Sequence, residues 1–131
     1  MQLLYPNLTV TLRAGMIIRE EGPRFAVHGT KGSYVKYGLD PQEDLLRSGK
    51  ATPSRQAWAA ESEAEWGILN TDARRRKYPT VPGNYLGYYD AVYGALRDGG
   101  SAPVSHEEML TDIRMLEAAF ESHRSGCTGQ I

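Results

Sequence analysis

The chain is 131 residues long, enough for one domain that buries roughly two-thirds of its unfolded surface. Fifteen basic residues against sixteen acidic ones leave a net charge of -1, which offers no general field for a polyanion and excludes nucleic acid and anionic lipid as expected partners. With 40% hydrophobic and 24% charged residues the composition is that of a folded globular chain; no apolar run reaches membrane-spanning length and no signal-peptide pattern follows Met1, so a soluble, cytoplasmic protein is expected.

Gln2 to Tyr5 reads as a strand, Pro6-Asn7 as a turn, and Leu8 to Ile18 as a long strand with Leu8, Val10, Leu12, Ala14 and Met16 on one face. Alternation of this kind belongs to an antiparallel sheet with one face on a core. A strand starting this close to Met1 leads to the expectation of truncation. Arg24 to Tyr37 reads as a β-hairpin: Phe25 and Val27 alternate with polar or small residues, Gly29-Thr30-Lys31-Gly32 interrupts, and Val35 and Tyr37 resume. On that reading Phe25, Val27, Val35 and Tyr37 face the core, and the two glycines supply positive φ to a short loop.

Asp40-Pro41 has the form of a helix start, with Asp40 as N-cap, Pro41 at the first position, Leu45-Leu46 inward and Gly49 as the stop. Lys50 to Glu65 reads as a surface loop with room for a helical turn, and Trp58 and Trp66 as packing anchors. Trp66 to Leu69 is a short strand, Asn70-Thr71-Asp72 a turn, and Arg74 to Val81 an exposed partner strand whose basic residues protect a sheet edge. A helix opens after Pro82-Gly83-Asn84, with Tyr85, Leu86, Tyr89, Val92, Tyr93 and Leu96 as its apolar stripe and Gly99-Gly100 as its end. Ser105-His106-Glu107-Glu108 is a capping box that opens a last helix, with Met109, Ile113, Leu116 and Phe120 as a buried stripe and Gly126 as the stop. Strands first and helices last predict an α+β domain over residues 1–131, an open antiparallel or mixed sheet with helices packed on one face.

Chemistry-bearing patterns are sparse. There is no G-x-G-x-x-G, since Gly29-Thr30-Lys31-Gly32-Ser33 has the wrong spacing, and no G-x-S-x-G. His28, His106 and His123 lack ligand spacing, and Cys127 has no second cysteine, so no metal site and no internal disulfide are expected. Polar groups able to hydrogen-bond a ligand cluster around the hairpin exit and the second helix start: Lys36, Tyr37, Asp40, Asn84 and Tyr85. Tyr37 and Tyr85 also suit core packing, and Asn84 also suits a helix cap.

The run from Phe25 to Asp44, with Val81-Pro82-Gly83-Asn84-Tyr85 downstream, resembles the C-terminal domain of the Gfo/Idh/MocA oxidoreductases, and the resemblance extends from about Leu3 to about Arg124. It implies a parent enzyme that passes hydride between NAD or NADP and a sugar or cyclitol, with the cofactor on an N-terminal Rossmann domain. It further implies subunit contact through the open sheet. The family's Glu/Asp-Lys-Pro lysine has no counterpart, and the helix that carries its Asp and His would lie upstream of Met1, so no catalytic residue carries over. The expected role is therefore the substrate-side and dimerisation domain of an NAD(P)-dependent oxidoreductase, inert alone. The alternatives are a free-standing interaction or oligomerisation module without enzymatic activity, or an independent small-molecule binder with its own cavity.

Overall fold

The computed structural model describes residues 1–49 and 60–130; the expectations for Lys50 to Ala59, Trp58 included, lie outside the described residues. Ten short elements follow one another: β1 (Gln2–Tyr5), β2 (Leu8–Thr11), β3 (Phe25–Gly29), β4 (Gly32–Lys36), α1 (Pro41–Ser48), a 3-10 turn (Glu63–Glu65), β5 (Gly67–Asn70), β6 (Arg75–Tyr78), α2 (Tyr85–Asp98) and α3 (His106–Ser125). β1 and β2 form a two-stranded sheet, and β3-β4-β5-β6 a four-stranded one in sequence order. Every pairing is antiparallel, so the fold is α+β with open antiparallel sheets.

The second strand is much shorter than its apolar alternation. Leu12 exchanges backbone hydrogen bonds with Met1, and beyond it the ladder has no partner. A strand without a neighbour leaves its N–H and C=O groups to water, and Met16 and Ile17 are at 101% and 96% exposure, well outside any sheet face.

The hairpin closes with a two-residue loop, Thr30-Lys31, because Gly29 pairs with Gly32. That register sets Phe25 opposite Lys36 and Val27 opposite Tyr34, and residues directly opposed across an antiparallel ladder share a face. Phe25 and Val27 therefore lie on the face of Tyr34 and Lys36, not with Val35 and Tyr37, and both remain more than half exposed. Of the two glycines only Gly32 has a positive φ, 157°, and a Cβ on it would also lie 2.6 Å from the carbonyl oxygen of Asn70; Gly29 has no positive φ. Gly67 has a sharper need. The Tyr34 ring lies across it, and a Cβ there would come within 2.2 Å of the Tyr34 hydroxyl.

The helix ends follow the sequence closely. The Asp40 side chain accepts from Gln42 N at 2.9 Å and Pro41 occupies the first turn. Asn84 Oδ1 accepts from Gly87 N at 2.9 Å. Ser105 and Glu108 close a reciprocal capping box, and Gly49, Gly99 and Gly126 end the three helices in left-handed conformation.

The expected core is absent. No described hydrophobic residue is buried, and the stripes of α2 and α3 are open, with Leu96 at 80% and Phe120 at 68% exposure. Extensive contact between elements occurs only between neighbouring strands. The accessible surface of 11600 Å² compares with roughly 6,900 Å² for a compact chain of this length. The periodicity that marks a buried stripe is present, and the surface that would cover it is not among the described residues.

Replacing Gly67 by Val is expected to force Tyr34 off the sheet and destabilise the β4–β5 pairing by about 1–3 kcal/mol, which amide hydrogen exchange of Ile68 and Leu69 would read as accelerated exchange. For α3, Ser105→Ala should cost about 1 kcal/mol of helix stability, seen as loss of helical circular dichroism. Hydrogen bonds from Ser105 lower the Glu108 pKa. The stabilisation it contributes is then present above the ordinary glutamate pKa and is lost as pH falls through the lowered one. Acidification should fray α3 in the parent chain, and Glu108→Gln should remove that part of the pH dependence.

Candidate functional site

One ionic knot holds three segments together. Lys36 closes β4 and is only 8% exposed; its Nζ donates to the carboxylate of Glu61 and to the carbonyl oxygens of Glu65 at 3.1 Å and Tyr37 at 3.3 Å. An ammonium has three N–H donors, and all three are engaged. The Glu61 side chain, 6% exposed, also accepts from the Thr80 hydroxyl. On the far side of the 3-10 turn, Lys77 Nζ donates to the Glu63 carbonyl at 2.8 Å. Two lysines thus donate to carbonyls of this single turn, the Glu63 carbonyl also accepting from Trp66 N at 3.4 Å.

The knot forms the floor of a cleft of about 320 Å³. Arg24 and Phe25 at the start of β3 border it, Asp40 and Glu43 at the start of α1 form one wall, and the Thr80–Gly83 segment with Tyr85 forms the other. The two walls are tied together by Gln42, which is entirely buried and donates through Nε2 to the Gly83 carbonyl at 2.6 Å. Its Oε1 is buried without a hydrogen-bond partner. Gly83 is required here because a Cβ would run into the Asp40 carboxylate. The Tyr85 hydroxyl has its pKa raised first by desolvation, then by the negative charges of Glu43 and Asp40 and a hydrogen bond to Glu43.

Of the five residues singled out in the sequence, Lys36, Asp40 and Tyr85 line this cleft, whereas Tyr37 and Asn84 do not. Tyr37 is 56% exposed and contributes its carbonyl to Lys36; the Asn84 side chain is engaged in capping α2. Glu61, Thr80 and Gln42 were not legible as site residues. Glu61 reads in sequence as one of several acids near the Arg74–Lys77 run, and only the fold pairs it with a lysine 25 positions earlier.

A dinucleotide does not fit the residues described. Helix N-termini are the usual seats for a diphosphate. Here all three are closed by their own side-chain caps, and α1 and α3 add Glu43, Asp44, Glu107 and Glu108 in their first turns. Among the described residues no group of His, Cys, Asp and Glu is arranged to hold a metal ion, and no helix is long and apolar enough to cross a membrane.

Comparison with known proteins places the chain. The profile of the oxidoreductase family's C-terminal alpha/beta domain matches residues 1–130. Scyllo-inositol 2-dehydrogenase (NADP(+)) IolW of Bacillus subtilis is 39% identical over 124 residues, covering 92% of this chain and 34% of the relative. The uncharacterized oxidoreductase YdgJ of Escherichia coli is 36% identical over 130 residues, covering 96% of this chain and 37% of the relative. The solved structure of YvaA from Bacillus subtilis superposes with a TM-score of 0.90 at 36% identity over 99% of this chain and 40% of that one. An oxidoreductase from Bacillus cereus gives 0.75 at 34% identity, over 92% of this chain and 36% of that one. The chain therefore spans about a third of the length of the curated relatives it matches. A match along nearly the whole chain, in sequence and in backbone, makes this protein a member of the Gfo/Idh/MocA oxidoreductase family, corresponding to its C-terminal alpha/beta domain.

Proposed function

We propose that this chain is the substrate-side and dimerisation domain of an NAD(P)-dependent oxidoreductase acting on a sugar or cyclitol, and that it is catalytically incompetent by itself. The observation that carries the reading is the cleft between α1 and the start of α2. It is small enough for a single six-carbon ring, and it offers a tyrosine hydroxyl and carboxylate oxygens beside apolar Phe25, Val81 and Pro82. Such a lining suits a polyol, whose hydroxyls donate to carboxylates while its C–H faces rest on apolar side chains. The activity of the IolW relative, oxidation of scyllo-inositol with NADP, supports the same substrate class.

In this arrangement Lys36 acts through structure. With its donors engaged by Glu61, Glu65 and Tyr37 it has none left for a ligand, and it fixes the floor against which Asp40 and Tyr85 are placed. Tyr85 and Glu43 are the groups positioned to hold ligand hydroxyls. The reacting centre and the cofactor belong, on this reading, to the remainder of a parent enzyme: the family's catalytic motif does not occur in this sequence, and the helix starts among the described residues are closed by their own caps.

Self-association through the sheet is part of the proposal. β3 and β6 are the two edges of the four-stranded sheet, and Phe25 and Val27 stand 57% and 61% exposed on β3. Apolar side chains on an unpaired edge favour pairing with a second copy. The open stripes of α2 and α3 equally favour the reading of an assembly module, and the nucleotide measurement divides the two when made on the parent protein.

Titrating NADPH into the 131-residue chain should give no saturable binding, while myo-inositol at millimolar concentration should shift the backbone amide resonances of Asp40, Glu43 and Tyr85. Micromolar affinity for the nucleotide would sink the assignment. Loss of one hydroxyl partner in Tyr85→Phe should weaken inositol binding about three- to tenfold. Val27→Asp should shift the chain toward monomer in sedimentation experiments, and an unchanged oligomeric state would remove the sheet edge as the contact.

A further inference from the structure

The charges around the cleft do not cancel where a ligand would lie. Its lining contains the cations Arg24 and Lys36 and the carboxylates Asp40, Glu43 and Glu61. Lys36 and Glu61 neutralise each other, and neither has capacity for an anion: one has all its donors engaged and the other is itself negative. Arg24 lies 5.9 Å over the Phe25 ring at the border. Asp40 and Glu43 remain on the wall, with Arg47 only 3.9 Å from Glu43 but 77% exposed and screened by solvent.

The backbone offers an anion no better reception. The α1 N-terminus is the nearest set of free N–H groups, but Gln42 N donates to the Asp40 carboxylate at 2.9 Å and Glu43 N to the Asp40 carbonyl at 3.1 Å. Anion sites are built from unengaged N–H donors and bidentate guanidinium groups; among the described lining residues Arg24 at the border supplies a single guanidinium, and the α1 wall presents two carboxylates, Asp40 and Glu43.

Resting on the polyol reading of the cleft, we infer that it discriminates by charge, admitting uncharged polyols and rejecting their phosphorylated or carboxylated counterparts, with Glu43 as the specificity-determining residue. Rejection by an opposed like charge is the cheapest form of selectivity, because it needs no extra contact with the accepted ligand. Glu43 suits the role better than Asp40, whose carboxylate is committed to the helix cap. The pKa of the neighbouring Tyr85 hydroxyl is raised first by desolvation, and the negative charges of Glu43 and Asp40 add to it.

The test compares myo-inositol with inositol monophosphate on the isotope-labelled chain at low ionic strength, reading the amide shifts of Asp40, Glu43 and Tyr85. Wild type should bind the phosphate at least about tenfold more weakly, and the gap should narrow as salt is raised. In Glu43→Lys the ratio of the two affinities should fall to within about threefold; Glu43→Gln, which leaves the helix start without a new positive charge, should fall between, and circular dichroism identifies a variant that has lost α1. Equal or tighter binding of the phosphate by wild type overturns the charge selectivity and leaves the polyol cleft standing. An unchanged ratio in both variants overturns the role of Glu43. Absence of shifts with either ligand overturns the polyol reading and the selectivity with it.

Discussion

The arrangement of the described residues depends on a single buried ammonium. Lys36 ends β4, and its three donors reach Glu61, the Glu65 carbonyl and its own neighbour's carbonyl, while Glu61 in turn holds Thr80. One side chain thereby ties together the exit of the hairpin, the turn that precedes β5 and the segment that precedes α2. Removing either partner of such a pair leaves an uncompensated charge out of water and costs about 3–5 kcal/mol. In a chain where no described hydrophobic residue is buried, polar linkages of this kind carry an unusual share of the tertiary definition. Gln42 adds the second link, from α1 to Gly83, and the cleft is the space those two linkages hold open.

The absence of a core is informative about where the fold's stability comes from. The same residues adopt, with a TM-score of 0.90, the backbone found as 40% of a longer solved chain. Helices α2 and α3 carry apolar stripes of full length and ordinary caps at both ends, yet they meet almost nothing. Local rules suffice to place a helix end, because capping and left-handed glycine act within four or five residues. They do not suffice to bury a stripe, which needs a second surface.

That division also explains what was legible in the sequence. Asp40-Pro41, Asn84 and Ser105 with Glu108 gave the helix starts, and Gly49, Gly99 and Gly126 gave their ends, since each signal is complete within its own turn. The β5–β6 turn, closed by Thr71 and Arg74, was visible for the same reason. The second strand was overextended to Ile18 because alternation reports a preference for pairing, not the presence of a partner. Phe25 and Val27 do not share a face with Val35 and Tyr37 because a loop of even length sets odd-numbered residues opposite even-numbered ones, so that Ala26 faces Val35 and Val27 faces Tyr34. Asp40 and Tyr85, singled out for their chemistry, line the cleft. Glu61 and Thr80 were not singled out, because their significance comes from a pairing across 25 and 19 positions that no local pattern marks.

The cleft is shaped by a structural ion pair, Lys36 with Glu61. A lysine on the wall of a polyol pocket would ordinarily be read as an anion anchor or a hydroxyl donor. Here its neighbours consume all its donors, so the charge is neutralised at the floor and the functional character passes to the residues left over. Those are Asp40, whose carboxylate closes the helix, and Glu43 with Tyr85, which both line the cleft. Glycine at position 83 lets the Asp40 carboxylate approach the opposite wall so closely that no side chain fits between. Backbone economy at one residue and charge saturation at another thus leave a narrow, weakly negative slot, and the selectivity proposed for it rests on which groups are already engaged rather than on which residue types line it.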